Sequence, residues 1–242
     1  MEELGTLSIA ENIARVQERI QAALRRALRL RSGQAGRTDT VTLVAITKQV
    51  PVERIAEAYR AGLRHFGENR VQEFEAKHRL LVLPSATWHM VGHLQSNKAK
   101  LATQLFACID SLDSLPLGQK LDAAAAGSKI PVLVEVHLGD EPSKHGVEPE
   151  QVAALVEQVA ALPGLAVQGL MTIPPFLEPA ERVRPYFRRL RQLAEELDRR
   201  RIAGVTTQRL SMGMSHDFEV AIEEGATEVR LGTALFGPRP RA

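Results

Sequence analysis

Lys48 stands where a run of aliphatic residues stops. In VTLVAITKQV, residues 41–50, Val41, Leu43, Val44, Ala45 and Ile46 form a short apolar segment of the kind that fills a parallel sheet covered on both faces. A lysine at that boundary has two readings. It marks a strand end, with its stem on the core and its ammonium in water, or it is a desolvated amine, a nucleophile toward a carbonyl. Two other stretches are rich in small residues and hydroxyls: SMGMS at 211–215 and RLGTALFG at 230–237. Gly213, Gly232 and Thr233 could leave backbone N–H groups open to a phosphate, with Ser211 adding a hydroxyl; the competing reading is that the glycines permit tight turns.

Other groupings carry less. Ser215, His216 and Asp217 are adjacent in the chain and cannot adopt the stacked order of a hydrolytic triad; Ser215 is expected to cap a helix. His89 and His93 are spaced like metal ligands but flank a strand end and a glycine, without a clear third ligand, so no metal is expected.

These residues need a scaffold. Apolar runs predict eight strands: Val41–Ile46, Arg64–Phe66, Trp88–Met90, Phe106–Ile109, Pro131–Val136, Ala166–Met171, Arg209–Ser211 and Glu228–Leu231. Helices are expected to begin near Val52, Asn69, Ser96, Ser114, Glu148, Pro179 and Ser215, the one after Pro179 carrying the stripe Val183, Phe187, Leu190, Ala194 and Leu197. Ile9, Ile13, Val16, Ile20, Leu24 and Leu28 predict a further N-terminal helix ending near Ser32 and Gly33, a lid or flank. Its Arg25, Arg26, Arg29 and Arg31 read as a solvated face, and residues 31–40 as a surface loop.

Eight alternating strands and helices in 242 residues predict one domain over 1–242, a TIM (β/α)8 barrel with an extra N-terminal helix. No G-x-G-x-x-G follows the first strand, which disfavours an open dinucleotide-binding sheet. In a barrel the working residues gather where strands end, on one rim. That rim collects Lys48, Glu68 and Asn69, His89 to Gln95, Asp110, Glu135 and His137, Thr172, Ser211 to Ser215, Gly232 and Thr233. Strand one closes against strand eight, so Lys48 and the phosphate loops share a neighbourhood suited to a phosphorylated aldehyde. Pyridoxal 5′-phosphate supplies both groups.

Composition limits the alternatives. A net charge of +2 is too small to imply nucleic acid or another polyanion. The single cysteine, Cys108, excludes an internal disulfide and reads as a small buried hydrophobe. No apolar run reaches membrane-helix length, and the acidic opening is unlike a secretory signal, so a cytoplasmic protein is expected.

The same residues resemble the pyridoxal phosphate homeostasis proteins, the YggS or PROSC family, over nearly the whole chain. The resemblance is carried by LVAITK around Lys48, HFGENRVQE at 65–73, WHMVGHLQSNK at 88–98, GLMTIPP at 169–175 and SMGMSHDFEVAIEEGATEVRLGTALFG at 211–237. It implies a barrel like the N-terminal domain of bacterial alanine racemase, with pyridoxal phosphate as a Schiff base on Lys48. Ser211, Gly232 and Thr233 would then hold phosphate, Arg230 would face the pyridine nitrogen, and Asn69 would lie near the ring. Thr47 stands where serine is usual, and Ala226 and Leu231 replace serine and isoleucine. The implied role is to buffer or deliver the cofactor to apoenzymes that use it, maintaining vitamin B6 and amino acid balance, with a monomer expected. The alternative is an amino acid racemase. That reading lacks a second base, because Tyr59 and Tyr186 both fall in predicted helices and the chain ends at Ala242 soon after the last strand.

Overall fold

A computed structural model describes residues 7–30, 40–139 and 145–238. Eight parallel strands form one closed barrel in sequence order: β1 (Thr42–Ile46), β2 (His65–Glu68), β3 (Thr87–Met90), β4 (Cys108–Leu112), β5 (Ile130–Glu135), β6 (Leu165–Met171), β7 (Arg209–Ser211) and β8 (Glu228–Leu231). The closing pair sets Val44 opposite Arg230 and Ala45 opposite Leu231. The chain therefore leaves β1 and β8 side by side on the same rim.

Helices alternate with the strands: α2 (Val52–Arg60), α3 (Val71–His78), α4 (Ala99–Leu105), α5 (Leu115–Ala124), α6 (Val152–Ala160), α7 (Arg184–Arg200), α8 (Phe218–Glu223) and α9 (Thr233–Phe236). The expected stripe is buried throughout, Val183 just before α7 and Phe187, Leu190, Ala194 and Leu197 on it, and enclosing a side chain such as Phe187 or Leu190 contributes about 1.5–3 kcal/mol.

Boundaries differ from the sequence expectation for local reasons. The expected helix starts at Ser96, Glu148 and Pro179 are single 3₁₀ turns, Ser96–Lys98, Pro149–Gln151 and Ala180–Val183, that lead into α4, α6 and α7. Phe106 ends α4 and packs on the Phe74 ring at 4.8 Å, so β4 begins two residues later and Asp110 lies within it, fully buried. Ser215 is not the cap of the following helix. That helix starts at Phe218, and Asp217 at its cap accepts a hydrogen bond from the Met214 N–H at 2.6 Å. The short α9 was not anticipated.

The N-terminal helix α1 (Ile9–Leu30) buries Ile9, Ile13, Val16, Ile20 and Leu24 as expected, while Leu28 is exposed. It lies on α2, α8 and α9, and the Asn12 amide donates to the Leu235 carbonyl at 3.1 Å. Arg25, Arg26 and Arg29 are exposed as expected, and Arg26 also pairs with Glu219 and Glu223 of α8 at the surface. The expected end of α1 near Ser32, Arg31, and nearly all of the 31–40 loop lie outside the described residues.

Candidate functional site

A cavity of about 810 Å³ opens on the rim where the strands end. Lys48, Asn69, Arg230, Gly232 and Thr233 all line it, together with Ser215, His216 and the apolar Ile46, Val91, Ile173 and Met214. Arg15, Val16 and Arg19 of α1 close one side. Their part was not read from the sequence, although Val16 belongs to the buried stripe that seats the helix and Arg15 and Arg19 flank it.

Lys48 is half-buried on the turn after β1, followed by Gln49 in the left-handed region at φ +59°. That turn is tied down from both sides. Thr47 is buried and donates its hydroxyl to the Glu68 carboxylate at 2.7 Å; Lys77 donates to the Thr47 carbonyl at 2.7 Å and to Glu68 and Glu73 at 2.8 Å each. The Gln49 N–H donates to Glu73 at 2.6 Å. Burial pushes the Glu68 carboxyl up, while Lys77 and Thr47 oppose that push. Threonine at 47 thus keeps the hydroxyl that serine would supply.

Asn69 sits in the loop before α3, and its Oδ1 is buried without a partner among the described residues. Gly92 permits this placement, since a Cβ there would lie 2.5 Å from the Asn69 carbonyl oxygen. An unpaired buried acceptor facing a cavity is costly unless something in the cavity donates to it.

Arg230 is 4% exposed and its guanidinium donates to the Ser211 hydroxyl and the Thr172 carbonyl, both at 2.7 Å. The neighbouring carboxylate on the same strand, Glu228, is not its hydrogen-bond partner; Glu228 is buried and takes Arg209 at 2.7 Å. Ser211 is not among the cavity-lining residues. Its hydroxyl is fully buried, accepting from Arg230 and donating to Glu228 at 2.8 Å. Gly213 is also outside the lining; it sits at φ +98°, and a Cβ would lie 2.6 Å from Ala221, so turn and packing account for it. In its place Ser215 reaches the phosphate-suited loop, its hydroxyl accepting from the Ala234 N–H at 3.2 Å. No local pattern in the sequence signalled that link.

Below the rim a polar chain fills the barrel. His65 and His89 share a ring-nitrogen contact at 3.1 Å, His89 meets Asp110 at 3.0 Å, and Asp110 accepts from the Cys108 thiol at 2.8 Å. Arg209 joins Cys108 to Glu228, which joins Ser211 and so Arg230. Burial would raise Asp110, but His89 and Arg209 hold its carboxylate well below the usual range. Burial drives the Cys108 thiol up, consistent with an inert residue. Glu135, at the end of β5, is pushed up to about 7 by burial, with Asp113 adding to the effect and Arg230 opposing it.

A family profile described as the alanine racemase N-terminal domain matches residues 21–240. The chain is 48% identical to the pyridoxal phosphate homeostasis protein of Aquifex aeolicus, covering 96% of this chain and 99% of that one. It is 43% identical to the protein of the same name from Pseudomonas aeruginosa, covering 96% of each. It belongs to the pyridoxal phosphate homeostasis protein family. Among solved structures, PipY of Synechococcus elongatus with PLP bound is 40% identical, with a TM-score of 0.76, covering 89% of this chain and all of that one. Alanine racemase of Clostridium difficile is 16% identical with a TM-score of 0.66, and the matched region is 58% of that chain. That likeness is one of fold: homeostasis proteins of this kind share the racemase barrel. No described helix is long and apolar enough to cross a membrane.

Proposed function

We propose that this protein binds pyridoxal 5′-phosphate in the rim cavity, with Lys48 as its covalent anchor, and buffers the cofactor or delivers it to apoenzymes in the cytoplasm, acting as a monomer. The observation that carries this reading is the convergence of one amine, one buried guanidinium and the loop that opens α9 on a single cavity. The unpartnered Asn69 Oδ1 supports the fit. When bound, the cofactor supplies an aldehyde that condenses with an amine and an electron-withdrawing ring.

The chain's own residues divide the work. Lys48 presents the amine on a turn fixed by Thr47, Glu68 and Lys77. The Gly232 and Thr233 backbone and the Ser215 hydroxyl stand where an anion is favoured, at the start of α9. Arg230 brings a fixed positive charge with donors and no acceptor, and α1 limits water on one side. The two tyrosines lie on α2 and α7 and neither lines the cavity, so no tyrosine among the described residues offers a second base. This favours carriage over racemisation.

The absorption spectrum of the purified protein tests the binding, with a visible band expected that borohydride removes. Exchange of the Cα proton of several amino acids, measured on the same sample, tests the role. Turnover well above that of free cofactor overturns the carrier reading, and a colourless protein that takes up no added cofactor overturns the binding itself.

A further inference from the structure

We propose that His93, Asp113 and His145 form a site for a divalent transition-metal cation of zinc's class, on the part of the rim remote from the β8 loop. The three residues come from loops after three successive strands, β3, β4 and β5. His93 Nδ1 lies 3.1 Å from Asp113 Oδ2. The His93 and His145 rings are stacked, with centroids 3.7 Å apart and planes within 9°. One nitrogen from each histidine and one Asp113 oxygen all lie within 4.8 Å of one another.

The donor set identifies the ligand class. Two imidazoles and one carboxylate suit zinc, cobalt or nickel, whereas magnesium and calcium take oxygen. Ligands bound to a tetrahedral zinc at about 2.0–2.2 Å sit roughly 3.4 Å apart, so closing the set takes side-chain shifts of about 1 Å and a turn of one imidazole out of the parallel stack, because the metal must lie in the plane of each ring that binds it. His93 is 38% exposed at its side chain and has room to make that shift. The other Asp113 oxygen accepts from the Ser114 hydroxyl at 3.0 Å, which orients the carboxylate as outer partners of metal ligands do. A histidine–aspartate pair by itself needs only one imidazole. His145 adds a second, and among the described residues it makes no hydrogen bond that would otherwise account for it.

The other cluster of suitable type, His89, Cys108 and Asp110, is ruled out by its occupant. An Arg209 nitrogen lies 3.0 Å from the Cys108 sulfur and another 3.5 Å from Asp110, placing a fixed cation where the metal would go. No such cation is within salt-bridge reach of Asp113 among the described residues, where His93 is the pairing partner.

Titration of the full chain, free of any histidine tag, with cobalt(II) and then zinc(II) decides the matter. One equivalent of cobalt should give a visible d–d band that zinc displaces, and zinc should raise the melting temperature. His93→Ala and His145→Ala should each weaken binding by at least about tenfold, and His93→Gln guards against a folding artefact. His78→Ala, a histidine on α3, should change nothing. Absence of binding up to millimolar cobalt, or equal binding by the parent and the two histidine variants, overturns the proposal.

Discussion

The Ser211 hydroxyl bridges a buried cation and a buried anion, accepting from Arg230 at 2.7 Å and donating to Glu228 at 2.8 Å. Both charges are almost fully buried, and each depends on that oxygen for part of its hydrogen bonding. Ser211→Ala should therefore lower stability by about 1–3 kcal/mol and weaken cofactor binding through a displaced Arg230. Denaturant unfolding and equilibrium binding check this together. Lost affinity with full stability would instead indicate that Ser211 holds phosphate directly.

Lys48 should be the residue that borohydride ties to the cofactor, since it is the lysine that both lines the cavity and ends β1. Peptide mapping of the reduced protein reads the position. Lys48→Ala should abolish the covalent link while leaving the barrel folded, because a half-buried rim amine removes little apolar area. Reduced cofactor on Lys98 with Lys48 unmodified would refute the assignment.

At the start of α9, Gly232 sits at φ −115°, outside the left-handed region that favours glycine. Gly232→Val should thus act by filling space in the cavity and weaken binding more than Thr233→Ala, which keeps the backbone N–H. Ser215→Ala should fall between them, because it removes a hydroxyl from the cavity and with it the tie that holds this loop to the Ala234 N–H. Titrations with pyridoxal phosphate rank the three, and equal, unchanged affinities would remove the anion site from this loop.

Much of this was legible in the chain. Eight short apolar runs marked the eight strands because a parallel barrel buries both faces of each strand, and Lys48 stood out because such a run ended on it. What escaped was set by distance in sequence. Ser215 reaches Ala234, Arg15 and Val16 reach the cavity from α1, and Lys77 holds the turn at Thr47, all through contacts that no local spacing encodes. His93 and His145 likewise meet only when two loops are brought together. Ser211 and Gly213 have the residue types of rim groups, but both are buried behind the cavity.

Glu135 makes stability depend on pH. Its carboxyl is raised from 4.5 to about 7 by burial, it is 5% exposed, and its Oε2 lacks a partner among the described residues. A raised acid pKa means that the folded chain keeps a proton which the unfolded chain releases. Its contribution is intact below about pH 4.5 and is lost as pH rises through about 7, a change of about 3 kcal/mol. Glu135→Gln, which mimics the protonated form, should gain stability relative to the parent over that window. Denaturation of both proteins at pH 4.5 and 8 measures the difference, and a gap that stays constant would refute the burial account.

Arg230 should decide both how tightly the cofactor is held and what it can do. Burial lowers the guanidinium pKa, with Glu228, Asp110, Glu135 and Asp217 opposing that shift; even so, an arginine starts far enough above neutrality to remain charged. It has donors only, so any ring nitrogen facing it must offer a lone pair and stay unprotonated. An uncharged pyridine draws electrons more weakly than a pyridinium beside a carboxylate would, which disfavours transamination and suits a carrier. A charge-assisted bond contributes roughly 1.5–3 kcal/mol, so Arg230→Ala should loosen the cofactor by about one to two orders of magnitude. It should also cost stability, because the Thr172 carbonyl and Ser211 hydroxyl lose their donor. Arg230→Lys keeps the charge but not the two-armed geometry, and should recover stability more than affinity. Unchanged affinity in Arg230→Ala, or a carboxylate found at the ring nitrogen in a holo structure, would sink this account and reopen the racemase.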